Sequence, residues 1–218
     1  MVAPFANRAE AGRLLAAELE KYKSQSGVVV LGLPRGGVPV AFAIASALHA
    51  PLDVLPVRKL GMPGQKELAI GAIAPGGVRV LHKALIKGAR IPAATIEQIA
   101  AEEKRVMERR ERLYRDGRPP LQLRGQTVIV VDDGIATGAT MHAALKAVKL
   151  QEAKFVIAAV PVASVEAWEV LAGEADEVVC LATPEPFYAV GLWYEEFPQV
   201  TDDEVRGMLA QSAPQKVA

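Results

Sequence analysis

Cysteine is almost missing from this chain: Cys180 is the only one in 218 residues. That excludes an intramolecular disulfide framework and makes a reducing compartment, the cytoplasm, the expected location. Cys180 sits in the apolar run Val178 to Leu181, where a small thiol serves as strand filler. An excess of one charge is missing as well, because 25 Lys and Arg are balanced by 25 Asp and Glu. Dedicated nucleic-acid binders usually carry a basic excess, so nucleic acid is not the expected partner. No apolar run approaches the roughly 20 residues needed to cross a bilayer. The longest, Phe155 to Ala163, has the length of a strand, so no membrane partner is expected. Met1 to Asn7 offers no basic stretch leading into an apolar one, and no secretion signal is expected. The three histidines, His49, His82 and His142, are scattered, and none stands in a triad context.

Apolar residues make up 51% of the chain, enough for a real core. Helical spacing of Leu14, Leu15 and Leu19 predicts a helix from Asn7 to Lys23, with Asn7 as its cap. Val28 to Leu31 reads as a buried strand, Pro39 to Leu48 as a helix and Leu52 to Val57 as a second strand. Arg58 to Gly77 is dense in glycine and proline, which suggests mobile loops around a short strand at Ala69 to Ile73. Val78 to Leu81 reads as another strand. The longest helical pattern runs from Pro92 to Arg115.

After it the alternation resumes. Strands are expected at Thr127 to Val131, Phe155 to Val160 and Glu177 to Leu181. Helices are expected at Gly138 to Leu150, Ser164 to Ala172 and Asp202 to Leu209. The economical assembly is an α/β fold, a parallel sheet of about five strands with helices on both faces. It forms one domain over residues 1–218, with a core at 27–182, an inserted long helix at 92–116 and a small C-terminal hood at 183–209.

The stretch Val128 to Thr140 carries the chemistry. Four apolar residues end in two carboxylates, Asp132 and Asp133, at the carboxyl end of a strand, where open α/β sheets bind ligands. Adjacent carboxylates repel and need a partner that disperses their charge. Vicinal ribose hydroxyls would do so, and so would Mg²⁺, held by Asp132 and Asp133 directly or through hydroxyls and water. Next, Ala136, Thr137, Gly138, Ala139 and Thr140 lead into a helix, with free amides, two hydroxyls and a positive dipole end for an anion. Two acids for a diol and a nest for a phosphate describe a ribose 5-phosphate.

This stretch closely resembles the signature loop of type I phosphoribosyltransferases, with a Rossmann-like core. The resemblance implies that Asp132 and Asp133 hold the ribose of phosphoribosyl diphosphate and that residues 136–140 hold its 5-phosphate. It assigns the diphosphate to Arg35, Gly36 and Gly37 after the first strand and to Arg58 and Lys59 after the second. Arg58, Lys59 and Glu67 are the implied catalytic candidates, with Gly61 to Ala69 as a flexible closing loop whose other charged member is Lys66. Phe187 and Tyr188 would stack on the acceptor base, in a segment whose aromatics also suit a hydrophobic plug or dimer contact. The implied chemistry transfers the 5-phosphoribosyl group to a nitrogenous base or amine. Inversion at the anomeric carbon proceeds through an oxocarbenium-like transition state, with release of diphosphate and help from Mg²⁺. A homodimer fits the family.

Two positions depart from the hypoxanthine-guanine members. Ala136 stands where they carry an Asp that acts as base, and Pro161 to Ala163 offers no Lys to read a 6-oxo group. Two other readings of the same residues stay open. One is a regulatory protein that binds phosphoribosyl diphosphate or a nucleotide without catalysis, motivated by the basic residues of the 92–116 helix. The other is a hydrolase of a nucleotide or sugar phosphate.

Overall fold

The computed structural model describes residues 4–23 and 25–212, without the side chains of Lys66 and Glu67. Five strands form a parallel sheet in the order β2-β1-β6-β7-β8: β1 (Val28–Gly32), β2 (Leu52–Val54), β6 (Thr127–Val131), β7 (Phe155–Val162) and β8 (Glu177–Ala182). The expected strands all form, β2 shorter than its apolar run and β7 longer. Side chains alternate between two cores, as a pleat requires. Val28, Val30, Ile129 and Ile157 face α1 (Arg8–Glu18), α2 (Gly37–Leu48) and α7 (Asp202–Gln211). Val29, Leu31, Val128 and Val130 face α5 (Ala139–Leu150) and α6 (Val165–Glu174). Both faces are covered, so the strands read as continuous apolar runs. Cys180 lies half-buried in β8, and burial pushes its thiol pKa upward.

Asn7 caps α1, accepting from the Glu10 amide at 3.0 Å. The helix is shorter than its apolar pattern and gives way to a 3₁₀ turn at Glu20–Tyr22. Thr201 and Glu204 form a capping box on α7.

The glycine-rich stretch is where expectation and structure part. Arg58 to Gly77 is not a set of loops around a short strand. It folds as the hairpin β3 (Arg58–Met62) and β4 (Gln65–Ala74), and β5 (Val78–Leu81) completes an antiparallel sheet in the order β3-β4-β5. Gly64 takes φ +79° at the Pro63-Gly64 turn, the left-handed position that such a turn reserves for glycine. Gly71 lies within the strand because a Cβ there would come 2.3 Å from the Val80 carbonyl oxygen. Gly64 thus marks a tight turn and Gly71 a close approach between strands.

One face of this second sheet packs Leu60, Ile70 and Ile73 against Ile96, Ala100 and Met107 of α4 (Ala93–Arg115). The short α3 (Lys83–Gly88) contributes Leu85 and Ile86 to the same cluster. Its other face sets Ala72, Ala74 and Val78 against Ala143 and Ala147 of α5. The long helix is thus the cover of a second sheet. Its C-terminal end is fixed to the core by a buried ion pair. Arg115 Nε donates to both Asp53 carboxylate oxygens at 3.0 Å, Arg115 Nη2 donates to the Val54 carbonyl at 3.0 Å, and Glu111 also contacts the guanidinium.

Removing one partner of a buried pair strands the other charge, at a cost of roughly 3–5 kcal/mol. Arg115→Ala is therefore expected to destabilise the fold by about that amount in urea denaturation. Asp53→Leu with Arg115→Met is expected to recover most of the loss. A single variant within 1 kcal/mol of the parent, on the order of a surface change, would contradict the pairing.

Candidate active site

Strand order places the site. From β1 the chain turns outward to β2, and from β6 it turns the opposite way to β7, so the sheet's switch point lies between β1 and β6. Ligands of such sheets bind beyond the carboxyl ends of the strands at this point. Both loops singled out in the sequence meet there. The Leu33 amide donates to the Val131 carbonyl at 2.8 Å. A Cβ on Gly36 would lie 2.0 Å from Asp133 Oδ2, and one on Gly37 would lie 2.6 Å from the Val131 carbonyl oxygen and 2.8 Å from Asp132 Cα. Only glycine lets the loops approach so closely.

The two acids have different surroundings. The Asp133 amide donates to Asp132 Oδ1 at 2.9 Å. Burial, and then the neighbouring Asp133 charge, hold the Asp132 carboxyl well above the ordinary aspartate range, while Lys59 across the cleft pulls the other way. Asp133 instead has a buried cation: Arg8 Nε lies 2.8 Å from its Oδ2, with the two side chains only 10% and 14% exposed. Arg8 Nη1 donates to the Pro198 carbonyl at 2.7 Å, and its guanidinium carbon lies 3.7 Å from the Phe197 ring centre. The Tyr194 hydroxyl donates to the Asp133 carbonyl at 2.6 Å. Sequence reasoning missed Arg8. The available cue was a cation in the first turn of a helix, where the dipole disfavours positive charge.

After the acids the loop is tied to its neighbour strand. The Ile135 amide donates to the Val162 carbonyl and the Ser164 amide to the Ile135 carbonyl, both at 2.9 Å. Ser164 Oγ donates to the Ala136 carbonyl at 2.9 Å and accepts from the Ala167 amide at 3.1 Å, so the cap of α6 also anchors the loop. Gly138, at φ +73°, caps α5. The first amide of this helix with a partner is His142, bonded to the Gly138 carbonyl at 2.8 Å. Among the described residues, the amides of residues 136–141 have no protein acceptor. They form a set of uncommitted donors at a helix N-terminus.

A cleft of about 690 Å³ brings together Arg35, Gly36, Arg58, Lys59, Asp132, Asp133 and Thr140, with the hairpin tip Gly61 to Gly64 as part of its wall. The segment expected to be a flexible closing loop takes, in this structure, the form of the β3–β4 hairpin beside the site. Arg35 reaches Asp202 at 3.8 Å, and Asp202 accepts the Tyr114 hydroxyl at 2.7 Å. Burial, then that hydrogen bond, push the Tyr114 pKa up to about 12. Arg58 is paired with Glu103 of α4 at 2.7 Å, whereas Lys59 is exposed. The Glu67 side chain lies outside the described ones.

A second cavity of about 630 Å³ is lined by Ala136, Ser164, Phe187 and Tyr188. Phe187 leans on the apolar cluster of Phe5, Val162 and Tyr194, while Tyr188 is 77% exposed and free to meet a planar ligand. Val190 seats this hood on the loop, since a Cβ on Gly134 would fall 2.5 Å from Val190 Cγ1. Among the described residues, no group of three or more His, Cys, Asp and Glu could hold a metal ion. No helix there is long and apolar enough to cross a membrane.

The doubly covered parallel sheet, with its acid pair and amide nest at the switch point, has the architecture of a type I phosphoribosyltransferase. The sequence matches the phosphoribosyl transferase domain over residues 5–190, and the chain belongs to that family. A Mycobacterium tuberculosis protein, named "Putative phosphoribosyl transferase" in two strains, is 49% identical over 205 residues. The match covers 94% of this chain and 46% of that protein, so the chain spans about half the length of the curated relatives it matches. The crystal structure of TT1426 from Thermus thermophilus is similar at 44% identity and a TM-score of 0.82, covering 97% of this chain and 100% of that one.

Two outcomes follow from the geometry. Alanine at a helix start is favoured over glycine by up to ~1 kcal/mol, but at Gly37 it meets backbone that cannot rotate away. Gly37→Ala is expected to lose a net ~1–3 kcal/mol in urea denaturation, as overpacked sites do. A more stable variant would contradict the close approach. Asp132 keeps its proton longer folded than unfolded, so stability falls as pH rises above the unfolded value of about 3.9. Asp132→Asn removes that titration. Its melting midpoint is expected to exceed the parent's at about pH 8, by a margin that shrinks toward about pH 4; a margin constant with pH would speak against it.

Proposed function

We propose that this chain transfers the 5-phosphoribosyl group of phosphoribosyl diphosphate to a nitrogen of a base or amine. The observation that carries the reading is the uncommitted amide set of residues 136–141 standing beside two carboxylates, with Arg35, Arg58 and Lys59 lining the same cleft. One phosphate suits the amides, a diol suits the acids, and a second phosphate group suits the cations. We read residues 1–218 as one such domain, with 183–209 as the hood, acting in the cytoplasm.

In this reading the C1–O bond to diphosphate breaks as the acceptor nitrogen bonds to C1 from the opposite face. A proton carried by that nitrogen passes to solvent. The amides of 136–140 and the hydroxyls of Thr137 and Thr140 fix the 5-phosphate, so that the sugar is held while C1 moves. Asp132 and Asp133 orient the ribose hydroxyls and face the positive charge that develops on the ring. Arg35 and Lys59 offset the charge of the leaving diphosphate, and Arg58 joins them once released from Glu103. Gly36 and Gly37 keep backbone, rather than side chain, at that edge of the cleft.

Mg²⁺ fits a site with so few protein ligands, because it is commonly held by one or two carboxylates together with substrate oxygens and water. Asp132 is the carboxylate a cation would most relieve, with Asp133 beside it. When bound, Mg²⁺ supplies charge neutralisation for the diphosphate. Tyr188, with Phe187 behind it, offers a ring for the acceptor to stack on. Ala136 brings a methyl group rather than a base, so the acceptor reacts through a nitrogen lone pair it already has.

The test incubates the protein with phosphoribosyl diphosphate, Mg²⁺ and a panel of bases and amines, and scores diphosphate release. Release is expected with one acceptor class, with hypoxanthine and guanine among the poor ones. Binding without release from any acceptor would replace the transferase by a regulatory binding protein. Asp132→Asn with Asp133→Asn is expected to abolish calorimetric binding of phosphoribosyl diphosphate; unchanged affinity would sink the reading.

A further inference from the structure

Arg8 is a cation where several local rules disfavour one. It opens α1, where the helix dipole repels positive charge, and it is buried to 9% exposure. Two of its nitrogens are nevertheless engaged. Nε meets Asp133 Oδ2 at 2.8 Å and Nη1 meets the Pro198 carbonyl at 2.7 Å, while the Phe197 ring covers the guanidinium at 3.7 Å. A buried ion pair that joins residues 125 positions apart constrains the acid as much as the base.

Asp133 is held in other ways too. Its Oδ2 is packed against Gly36, and its carbonyl accepts from the Tyr194 hydroxyl. Arg8 on Oδ2 and Tyr194 on the carbonyl thus hold the residue at two points, and Oδ2 is the oxygen committed to the cation. Charge matters equally. Two adjacent carboxylates would oppose a ligand that itself carries several negative charges. A guanidinium behind one of them leaves the pair with roughly one net negative charge.

We infer that Arg8 is a positioning residue for the sugar side of the site: acting through Asp133, it fixes that carboxylate and offsets its charge, so that an anionic sugar phosphate can settle over both acids. This rests on the phosphoribosyl-diphosphate reading above. It also ties the sugar site to the hood, because Phe197 and Pro198, which hold Arg8, lie within it.

The test is calorimetric titration of phosphoribosyl diphosphate with Mg²⁺ into the full chain, well below each variant's melting midpoint. Arg8→Met keeps the stem against Phe197 and removes the charge; it is expected to weaken binding at least tenfold. Arg8→Lys is expected to recover part of that loss. In an Asp133→Asn background, Arg8→Met is expected to cost less than twofold, because the charge it offsets is gone. Phe197→Leu loosens Arg8 without touching the cleft, so a three- to tenfold loss there carries the inference if Arg8→Met does not fold. A folded Arg8→Met or Phe197→Leu that binds within twofold of the parent would overturn the positioning role and leave the reading of the site intact. A parent chain that binds no phosphoribosyl diphosphate would overturn both.

Discussion

Everything in the site depends on how closely two backbone segments meet at the ends of β1 and β6. Gly36 and Gly37 bring one loop against Asp133, Asp132 and the Val131 carbonyl, with no room for a Cβ at either position. That approach sets where the acids sit and buries Asp132 enough to raise its pKa. It also places a cationic loop within the same cleft as the acid pair and Thr140. Helix propensity, which favours alanine at Gly37, is overruled by a clash with backbone that cannot yield. The unfavourable state of Asp132 fits a pattern seen at functional sites, where stability is given up to hold a group in a demanding environment.

Much of the fold was legible in the sequence for a simple reason. Parallel strands covered on both sides must be apolar throughout, and Val28 to Leu31 and Val128 to Val131 show it directly. Caps were legible for the same kind of local reason, as at Asn7 and Ser164. The second sheet was not. Its glycines, Gly64 and Gly71, carry the signature of loops, yet one makes a tight hairpin turn and the other lets neighbouring strands approach. Composition alone cannot separate a glycine that frees the backbone from one that admits a close neighbour.

The same division holds for the site. The acid pair and the uncommitted amides are contiguous in the chain, so one stretch of sequence contains both. Arg8 reaches Asp133 from near one end of the described structure and Phe197 covers Arg8 from near the other, and no window of sequence contains all three. Ser164 was legible as a cap, but its bond to the Ala136 carbonyl depends on how β6 and β7 are paired. The pairing of Arg58 with Glu103 likewise depends on where α4 lands. It commits to a helix a cation that the family resemblance assigned to the diphosphate. Some of the charges of α4 are used to tie it to the rest of the molecule, through the ion pairs of Glu97, Glu103 and Arg115.

The packing of α5 carries a further consequence. Its N-terminus presents the uncommitted amides, and its flank, through Ala143 and Ala147, touches Ala72 and Ala74 of the antiparallel sheet. These methyl groups are spacers. The gap between the amide nest and the hairpin that walls the cleft is gauged by side chains that line neither. Close-packed interiors pass on even one added methylene. The spacing between the start of α5 and the antiparallel sheet therefore depends on the volume of four alanines.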